Sequence, residues 1–390
     1  MKTPLVKRAI GRVYDFITIK FVYPAQYKKH AKAPVEKGKV ILLEPRFMQT
    51  TDSLQLIKER LQESGEYRII EMSIGFELLR LKEQYHRIMD FLAEMATAEY
   101  VFTTDSNKAV GGFSKRPETT VIQVWHACGA FKRFGFSTAK LEFGGSNHKQ
   151  KMYPLHRNYD IVTVSSPEVV WAYEEAMGLE GLGQVQPLGI SRTDVFFDPA
   201  FIDDAVSEVR NKVSGIGGRK VILYAPTFRG RVLEAVSPDE LDLFAMKEKL
   251  GDEYVLLIKH HPFVTKRPAI PAECSDFAYD VTDDLQIDQL LCAADICISD
   301  YSSLVFEYSL FERPMLFFAY DLDDYYDFRG FYYDYDEMTP GPVVKTTEEV
   351  IDYISRVGEQ FDAKEVKAFR NKFMSACDGH ATERILSQIK

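Results

Sequence analysis

Five stretches of this chain place side chains able to move protons or hold anions where an apolar run gives way to a loop. In Gln123-Val-Trp-His-Ala-Cys-Gly-Ala-Phe-Lys-Arg-Phe-Gly135, His126 follows such a run; the small residues Ala127, Cys128, Gly129 and Ala130 come next, then Lys132 and Arg133. An imidazole titrates near neutrality, so His126 can take a proton from an attacking hydroxyl, and the two cations suit an anionic substrate. The plainer alternative is a core histidine bonded to a backbone carbonyl. Cys128 reads as a buried small hydrophobe before it reads as a nucleophile.

In Tyr224-Ala-Pro-Thr-Phe-Arg229, the loop carries Pro226, Thr227 and Arg229, and a hydroxyl beside a guanidinium can hold phosphate oxygens. In Lys259-His-His-Pro262 the proline stops the strand, and His260 or His261 can donate to a phosphate. Neighbours on an extended segment point to opposite faces, so one site takes one of the two. Zinc is the weaker use of this pair, since no H-x-x-x-H or C-x-x-C partner stands at ligand spacing.

Ile298-Ser-Asp-Tyr-Ser-Ser-Leu-Val-Phe-Glu307 runs from a strand into a helix. The unpaired N–H groups of a helix start, with the hydroxyls of Ser302 and Ser303, make an anion cradle. N-capping by Asp300 or Ser302 is the ordinary reading, and both can hold. Glu307, one turn in, faces either a ribose hydroxyl or solvent. Tyr320–Met338 holds seven acids and eight aromatics, with Arg329 its only cation. So many rings argue for an ordered lid or cleft loop over disorder, and its D-x-D spacings are of the kind that arise by chance in acidic loops.

The elements that must position these residues can be read from periodicity. Apolar runs at Val40–Leu43, Arg68–Met72, Tyr100–Thr104, Val121–Val124, Ile161–Ser165 and Gln184–Leu188 alternate with helical patterns over about 52–64, 76–98 and 167–177. A helix over 198–214 and the break Ser214-Gly-Ile-Gly-Gly218 follow. A second series has strands at Val221–Ala225, Val255–Lys259, Phe277–Val281, Asp295–Ser299 and Met315–Phe318, with helices near 238–250, 285–292, 303–311, 346–358 and 363–376. This is an α/β chain of two Rossmann-like halves, each a parallel sheet covered by helices. The divisions fall at 1–38 (arm and linker), 39–200 and 201–390. Ligands of such sheets bind beyond the carboxyl ends of the strands, and every stretch above lies there.

Composition fits a soluble globular protein: 390 residues, 46% apolar and 27% charged. Five cysteines, odd in number and without a C-x-x-C pair, fit a reducing compartment. No apolar run reaches the ~18 residues of a membrane span, and the N-terminus makes a poor secretory signal. The first 39 residues hold ten Lys/Arg against Asp15 and Glu36, a net of +8; the remainder carries 38 basic and 56 acidic side chains, a net of −18. An acidic body excludes broad nucleic-acid binding. In the arm, Val6, Ile10, Val13, Ile17 and Phe21 recur at helical spacing among Lys7, Arg8, Arg12 and Lys20. Such a helix lies on an anionic membrane surface or packs its stripe on the protein's own core. Tyr23-Pro24 is expected to end it, with residues 25–38 as linker.

Together these stretches, with Gly189-Ile-Ser-Arg-Thr-Asp194, resemble the CDP-glycerol glycerophosphotransferase family of teichoic acid synthesis over about residues 40–380. The resemblance implies a GT-B fold, two Rossmann-like domains facing across a cleft. It implies transfer of glycerol or ribitol phosphate from a CDP-alditol to a polyprenyl-diphosphate-linked saccharide with release of CMP, at the cytoplasmic face of the membrane. His126 then stands as candidate base on a donor-contacting loop, and Arg192 as the arginine of a G-x-P-R-x-D motif whose proline is Ser191 here. Pro226 and Thr227 match a donor-binding pair, His261 the histidine of an H-P motif, and Ser302 and Ser303 the pyrophosphate-binding serines. Glu307 replaces an aspartate, and Ala127 and Cys128 replace a Gly-Thr pair. The short chain points to a primase-like enzyme, with glycerol phosphate the first expectation and ribitol phosphate the second.

The expected reaction is in-line attack of an acceptor hydroxyl on the β-phosphorus of a CDP-alditol. His126 takes the proton while His261, the serines and the helix start steady the diphosphate. Lys132, Arg192, Pro226, Thr227, Arg229, Lys259, His260, Glu307 and Arg329 complete the expected binding set. Phosphoryl transfer rests on positioning and electrostatics, so no metal or other cofactor is called for. A glycosyltransferase using a UDP- or GDP-sugar and a membrane-docked nucleotide-binding protein without turnover are the rivals, because a fold does not fix a function.

Overall fold

The computed structural model describes residues 11, 13–76, 78–139, 141, 152–153, 155–230 and 235–389, with the backbone alone at 326–329. Its strands form two six-stranded parallel sheets. The first comprises β1 (Glu36–Glu44), β2 (Arg68–Ser73), β3 (Ala98–Thr103), β4 (Thr120–Gln123), β5 (Ile161–Thr163) and β6 (Val185–Gln186), in the order β2-β1-β3-β4-β5-β6. The second comprises β7 (Lys220–Tyr224), β8 (Tyr254–Ile258), β9 (Ala278–Asp280), β10 (Ile296–Ser299), β11 (Met315–Phe318) and β12 (Val343–Val344), in the order β12-β11-β10-β7-β8-β9. Their central strands are continuous apolar runs such as Tyr-Val-Leu-Leu-Ile in β8, fully buried because helices cover both faces. The strand order reverses at β1/β3 in the first sheet and at β7/β10 in the second, the positions where open α/β sheets leave a crevice at the carboxyl edge.

Helix Asp52–Ser64 forms as read, ending on Gly65 at a φ of 66°. Helix Leu81–Met95 is shorter than the expected 76–98, because Gly75 at a φ of 65° and the turn after it delay its start to Leu81. Within the acidic stretch, Leu322–Arg329 is helical. At the end of the chain, helix Ala381–Leu386 crosses back to the first sheet. Ile385 and Ile389 bury themselves with Val40, Leu42, Leu54 and Ile57. The N–H groups of Ala381 and Thr382 donate to Asp194 at 3.0 and 2.7 Å. The two lobes are therefore bound together by the 3-10 segment Ser191–Phe197 and by the chain's final helix.

Pro24 does not end the N-terminal helix. A π turn at Thr18–Val22 sends the Tyr23 N–H back to the Thr18 carbonyl, and helix Tyr23–His30 then begins with Pro24 in its first turn, where a missing N–H costs least. Ile19, Tyr23 and Tyr27 join the core of the first lobe, while Val13, Phe16, Ile17 and Phe21 stay exposed at 45–61%. The expected stripe residues Val6 and Ile10, and Lys7, Arg8 and Arg12, lie outside the described residues. No helix among the described residues is long and apolar enough to cross a membrane.

Candidate active site

The loop after β4 bends sharply. Trp125 adopts a φ of 58° and Gly129 one of 62°, and the Trp125 N–H is tied to Gln123 Oε1 at 3.0 Å. A non-glycine residue in the left-handed region is held there by its surroundings, and such strain concentrates at functional sites. The bend delivers His126 to the surface with its ring stacked on Trp125 at 4.6 Å. His126 Nδ1 lies 2.8 Å from the Thr104 carbonyl. A carbonyl only accepts, so Nδ1 carries a proton, and in the neutral ring Nε2 keeps the lone pair. Both readings of His126 are thus partly realised: it bonds a backbone carbonyl, yet it is exposed.

Gly129 is required by space as well as by φ, since a Cβ there would meet the Phe306 ring at 2.3 Å. The small residues let this loop pack on the second lobe. Ala130 is buried and Ala127 half-buried. Cys128 is 1% exposed, and burial pushes its thiol well above the ordinary range, so it is an inert packing residue. Lys132 is half-buried, bridged through its backbone to Phe331, with its ammonium 6.0 Å from the Tyr325 ring centre.

The second lobe's wall is built around Asp300, which is 2% exposed. Its carboxylate accepts the N–H groups of Thr227 at 2.9 Å and Tyr301 at 2.6 Å, and Arg229 Nη1 at 3.0 Å. It thereby fastens the loop after β7 to the loop after β10, across the reversal of strand order. Pro226 is buried there, and the buried Thr227 Oγ1 has no hydrogen-bond partner among the described residues. Ser302 and Ser303, two and three residues past Asp300, are half-buried, Ser302 Oγ accepting the Leu304 N–H at 3.4 Å. The helix they open, Leu304–Tyr308, has only five residues before a 3-10 turn. So short a helix adds little dipole, and the anion cradle reduces to two hydroxyls and local N–H groups.

Two expected anion-binding cations are committed elsewhere. Arg229 holds Asp321 with Nε and Nη2 at 2.6 and 2.9 Å and lies 5.1–5.5 Å from the ring centres of Tyr301, Tyr320 and Tyr325. Lys259 Nζ donates to the carbonyls of Thr282 and Leu285 at 2.7 and 2.5 Å. His260 is buried, its Nδ1 2.7 Å from Ser237 Oγ. His261 turns the other way. It lies between Phe228 and Phe263, with ring centres at 4.8 and 4.6 Å, and its Nδ1 accepts the Phe263 N–H at 3.2 Å. An accepting Nδ1 puts the proton on Nε2. Burial, then Lys132 and Arg46, push His261 down to about 4, so at neutral pH it is an uncharged N–H donor.

Arg192 and Glu307 form a separate buried cluster. Arg192 Nη1 lies 3.3 Å from Glu307 Oε1, without the alignment of a hydrogen bond, while Nη2 meets Asp288 and lies 3.5 Å from Asp52. Burial pushes Glu307 up to about 7 and Asp288 up to about 6, against the pull of Arg192. Glu307, 4% exposed, does not face solvent. The Arg329 side chain lies outside the described residues.

Two residues of the cleft escaped the reading of the sequence. Arg46, just past β1, bonds Asp105 Oδ2 through Nε at 3.1 Å, and Asp105 lies just past β3. The signal was present: Glu44-Pro-Arg46 ends an apolar strand as the other stretches do.

The comparisons with known proteins extend this picture. The family model described as CDP-glycerol:poly(glycerophosphate) glycerophosphotransferase matches residues 25–390. The chain is 35% identical to the teichoic acid ribitol-phosphate primase of Bacillus spizizenii, across 99% of this chain and 96% of the primase. It is also 35% identical to that organism's teichoic acid poly(ribitol-phosphate) polymerase, across 91% of this chain but only 56% of the polymerase. The teichoic acid glycerol-phosphate primase of Bacillus subtilis is 30% identical, across 80% of this chain and 78% of the primase. Among solved structures, the wall teichoic acid polymerase TagF matches with a TM-score of 0.76 at 22% identity, covering 99% of this chain and 98% of that one. That likeness speaks for the fold.

Proposed function

The chain belongs to the CDP-glycerol:poly(glycerophosphate) glycerophosphotransferase family, enzymes of teichoic acid synthesis that transfer alditol phosphates, and from that premise we propose that it moves an alditol phosphate from a CDP-alditol to a hydroxyl of a polyprenyl-linked saccharide. Ribitol phosphate is the donor group we favour, ahead of the glycerol phosphate first expected. The ribitol-phosphate primase is matched from end to end at 35%, the glycerol-phosphate primase at 30% over a shorter span.

One observation carries the chemistry: two imidazoles fixed as opposite tautomers, one on each lobe. Thr104 leaves His126 with a bare Nε2, the form of a base. Phe263 leaves His261 with a protonated Nε2, the form of a donor. The acceptor oxygen attacks the β-phosphorus, its proton passes to His126 Nε2, and the bond to the α,β-bridging oxygen breaks with its electron pair leaving on CMP. His261 Nε2–H donates to the phosphoryl oxygens, where charge gathers in the transition state. Thr227 Oγ1, Ser302 and Ser303 line the second lobe's side of the donor seat.

The test offers CDP-ribitol, CDP-glycerol, a UDP-sugar and a GDP-sugar with a polyprenyl-diphosphate-linked saccharide, and measures the nucleotide released. CMP released from CDP-ribitol in step with lipid product is the expected result. Turnover of a nucleotide sugar alone, or binding of CDP-alditols without CMP release, would remove the reading.

We further propose that Val13, Phe16, Ile17 and Phe21, with Lys20, rest on an anionic membrane at its cytoplasmic face. Their exposure on a helix whose other side is anchored supports this. Deleting residues 1–30 would strip Ile19, Tyr23 and Tyr27 from the core, so the informative variant is Phe16→Ser with Phe21→Ser. It should release the protein from phosphatidylglycerol vesicles; unchanged vesicle binding would place the contact elsewhere.

A further inference from the structure

The reversal of strand order in the first sheet falls between β1 and β3, and the residues leaving those strands are Arg46 and Asp105. Open α/β sheets bind ligands at such points. The second sheet's reversal holds Thr227 and Asp300, already part of the donor seat. The first sheet's reversal has so far been given no ligand.

Three contacts fix what this point can hold. Asp105 Oδ2 takes the Nε edge of Arg46 at 3.1 Å and so aims a rigid fork. Thr104, the residue before Asp105, holds His126 Nδ1 through its carbonyl, so consecutive residues of one turn position the base and the guanidinium. The Arg46 guanidinium carbon then reaches across the cleft to within 5.9 Å of the Phe263 ring centre, and Phe263 lies 4.6 Å from His261. The carboxylates near Arg46 are engaged: Glu44 accepts the hydroxyls of Thr51 and Thr104 at 2.8 and 2.9 Å, and Asp105 also accepts the Ser106 N–H at 2.7 Å. Lys132 joins Arg46 in lowering the proton affinity of His261, so positive potential from the first lobe converges on that donor.

We propose that Arg46, aimed by Asp105 beside His126 and reaching Phe263 beside His261, binds the β-phosphoryl group of a nucleoside diphosphate donor from the first lobe. The proposal rests on the donor reading above and adds the residue that presents the reacting phosphorus to the base. An anion held by Arg46 on one lobe and His261 on the other also draws the walls together. The donor's second phosphate, more than its nucleoside, then favours the joined arrangement.

The experiment compares binding of CDP and CMP, and of UDP and UMP, by calorimetry to the full chain and to Arg46→Gln, Arg46→Lys and Arg46→Ala. The unaltered chain should bind CDP more tightly than CMP. Arg46→Gln and Arg46→Ala should lower CDP affinity by about 10- to 100-fold, the worth of one charge-assisted contact, and leave CMP affinity as it was. Arg46→Lys should recover part of the loss, as a point charge without the fork. Should Arg46→Ala fail to fold, Arg46→Gln and Arg46→Lys carry the same comparison. Equal losses for CDP and CMP, or no loss for either, would overturn the role of Arg46. If the unaltered chain prefers UDP over UMP and ignores both cytidine nucleotides, the CDP-alditol reading falls. Loss of that UDP preference in Arg46→Gln would still support the role of Arg46. A chain showing no diphosphate preference with either base would sink both.

Discussion

The two walls of the cleft hold the same kinds of side chain, histidines and cations, and give them different partners. On the first wall His126 is exposed with its Nδ1 held by the Thr104 carbonyl, and Arg46 and Lys132 lower the proton affinity of His261 on the other lobe. On the second wall His261 is a half-buried neutral donor, while Arg229 ends on Asp321 and Asp300 and Lys259 on two carbonyls. One wall's cations therefore bear on His261 across the cleft, and the other's close contacts within their own lobe. The residue types predict neither outcome; the partner that reaches each head group first decides it.

The sharpest way to break the contrast is at the base. His126→Ala should lower kcat by about 10²–10⁴-fold, the usual cost of losing a positioned proton acceptor. Binding of CDP should hardly change, because the ring is anchored to its own lobe and not to the diphosphate. Turnover near that of the unaltered chain would transfer the base to another residue and dissolve the opposition of tautomers.

Next comes the cation that serves the fold. Arg229→Ala would leave the buried Asp300, and the half-buried Asp321, without their counter-charge, at a cost of about 3–5 kcal/mol for a broken buried pair. It should appear in chemical denaturation as lost stability, with the remaining folded protein binding CDP normally. Arg46→Gln should show the opposite balance, with lost CDP affinity and a smaller loss of stability than Arg229→Ala. If Arg229→Ala leaves stability intact and weakens CDP instead, the division of labour between the walls is wrong.

His261 separates donor from base. His261→Ala should cost about 10²–10³-fold in kcat, as for removal of a donor to developing charge, and His261→Asn, which keeps an N–H donor, should recover part of it. A base cannot be rescued by an amide, so failure of Asn together with a new acid limb in the pH profile would recast His261 as a proton acceptor.

How far these contrasts could be read in advance differs by region. The central strands announced themselves because a buried parallel strand is an uninterrupted apolar run, as in Val-Ile-Leu-Tyr of β7. The two-residue β12 carries no period to detect, and Pro24 misled because the π turn before it is invisible in sequence. His126 and His261 stand at strand exits as their positions in the sequence suggest, and the argument that His260 and His261 face apart describes the structure. Arg192 and Glu307 were read as cleft residues, yet they meet Asp288 and Asp52 from remote parts of the chain. Such long-range pairings leave no local pattern. Nor does spacing reveal whether Arg229 meets a phosphate or Asp321, 92 residues away.

The smallest effect sets the cleft against the buried cluster through pH. His261 falls from 6.5 to about 4, so between those values the unfolded chain binds a proton that the folded one refuses. Stability is therefore lost from this group as pH drops from 6.5 toward 4. Glu307 moves the other way, from 4.5 up to about 7, so the folded chain holds the extra proton and stability from this group is lost as pH rises from 4.5 to 7. The melting temperature of His261→Asn, relative to the unaltered chain, should thus improve toward acid. That of Glu307→Gln should improve toward pH 8, where an ionised Glu307 would otherwise sit buried against Asp288 and Asp52. Parallel profiles for both variants would mean that neither group is perturbed as its surroundings dictate. Crossing profiles would show that the cleft is built to keep an imidazole neutral and the cluster behind it to keep a carboxyl protonated.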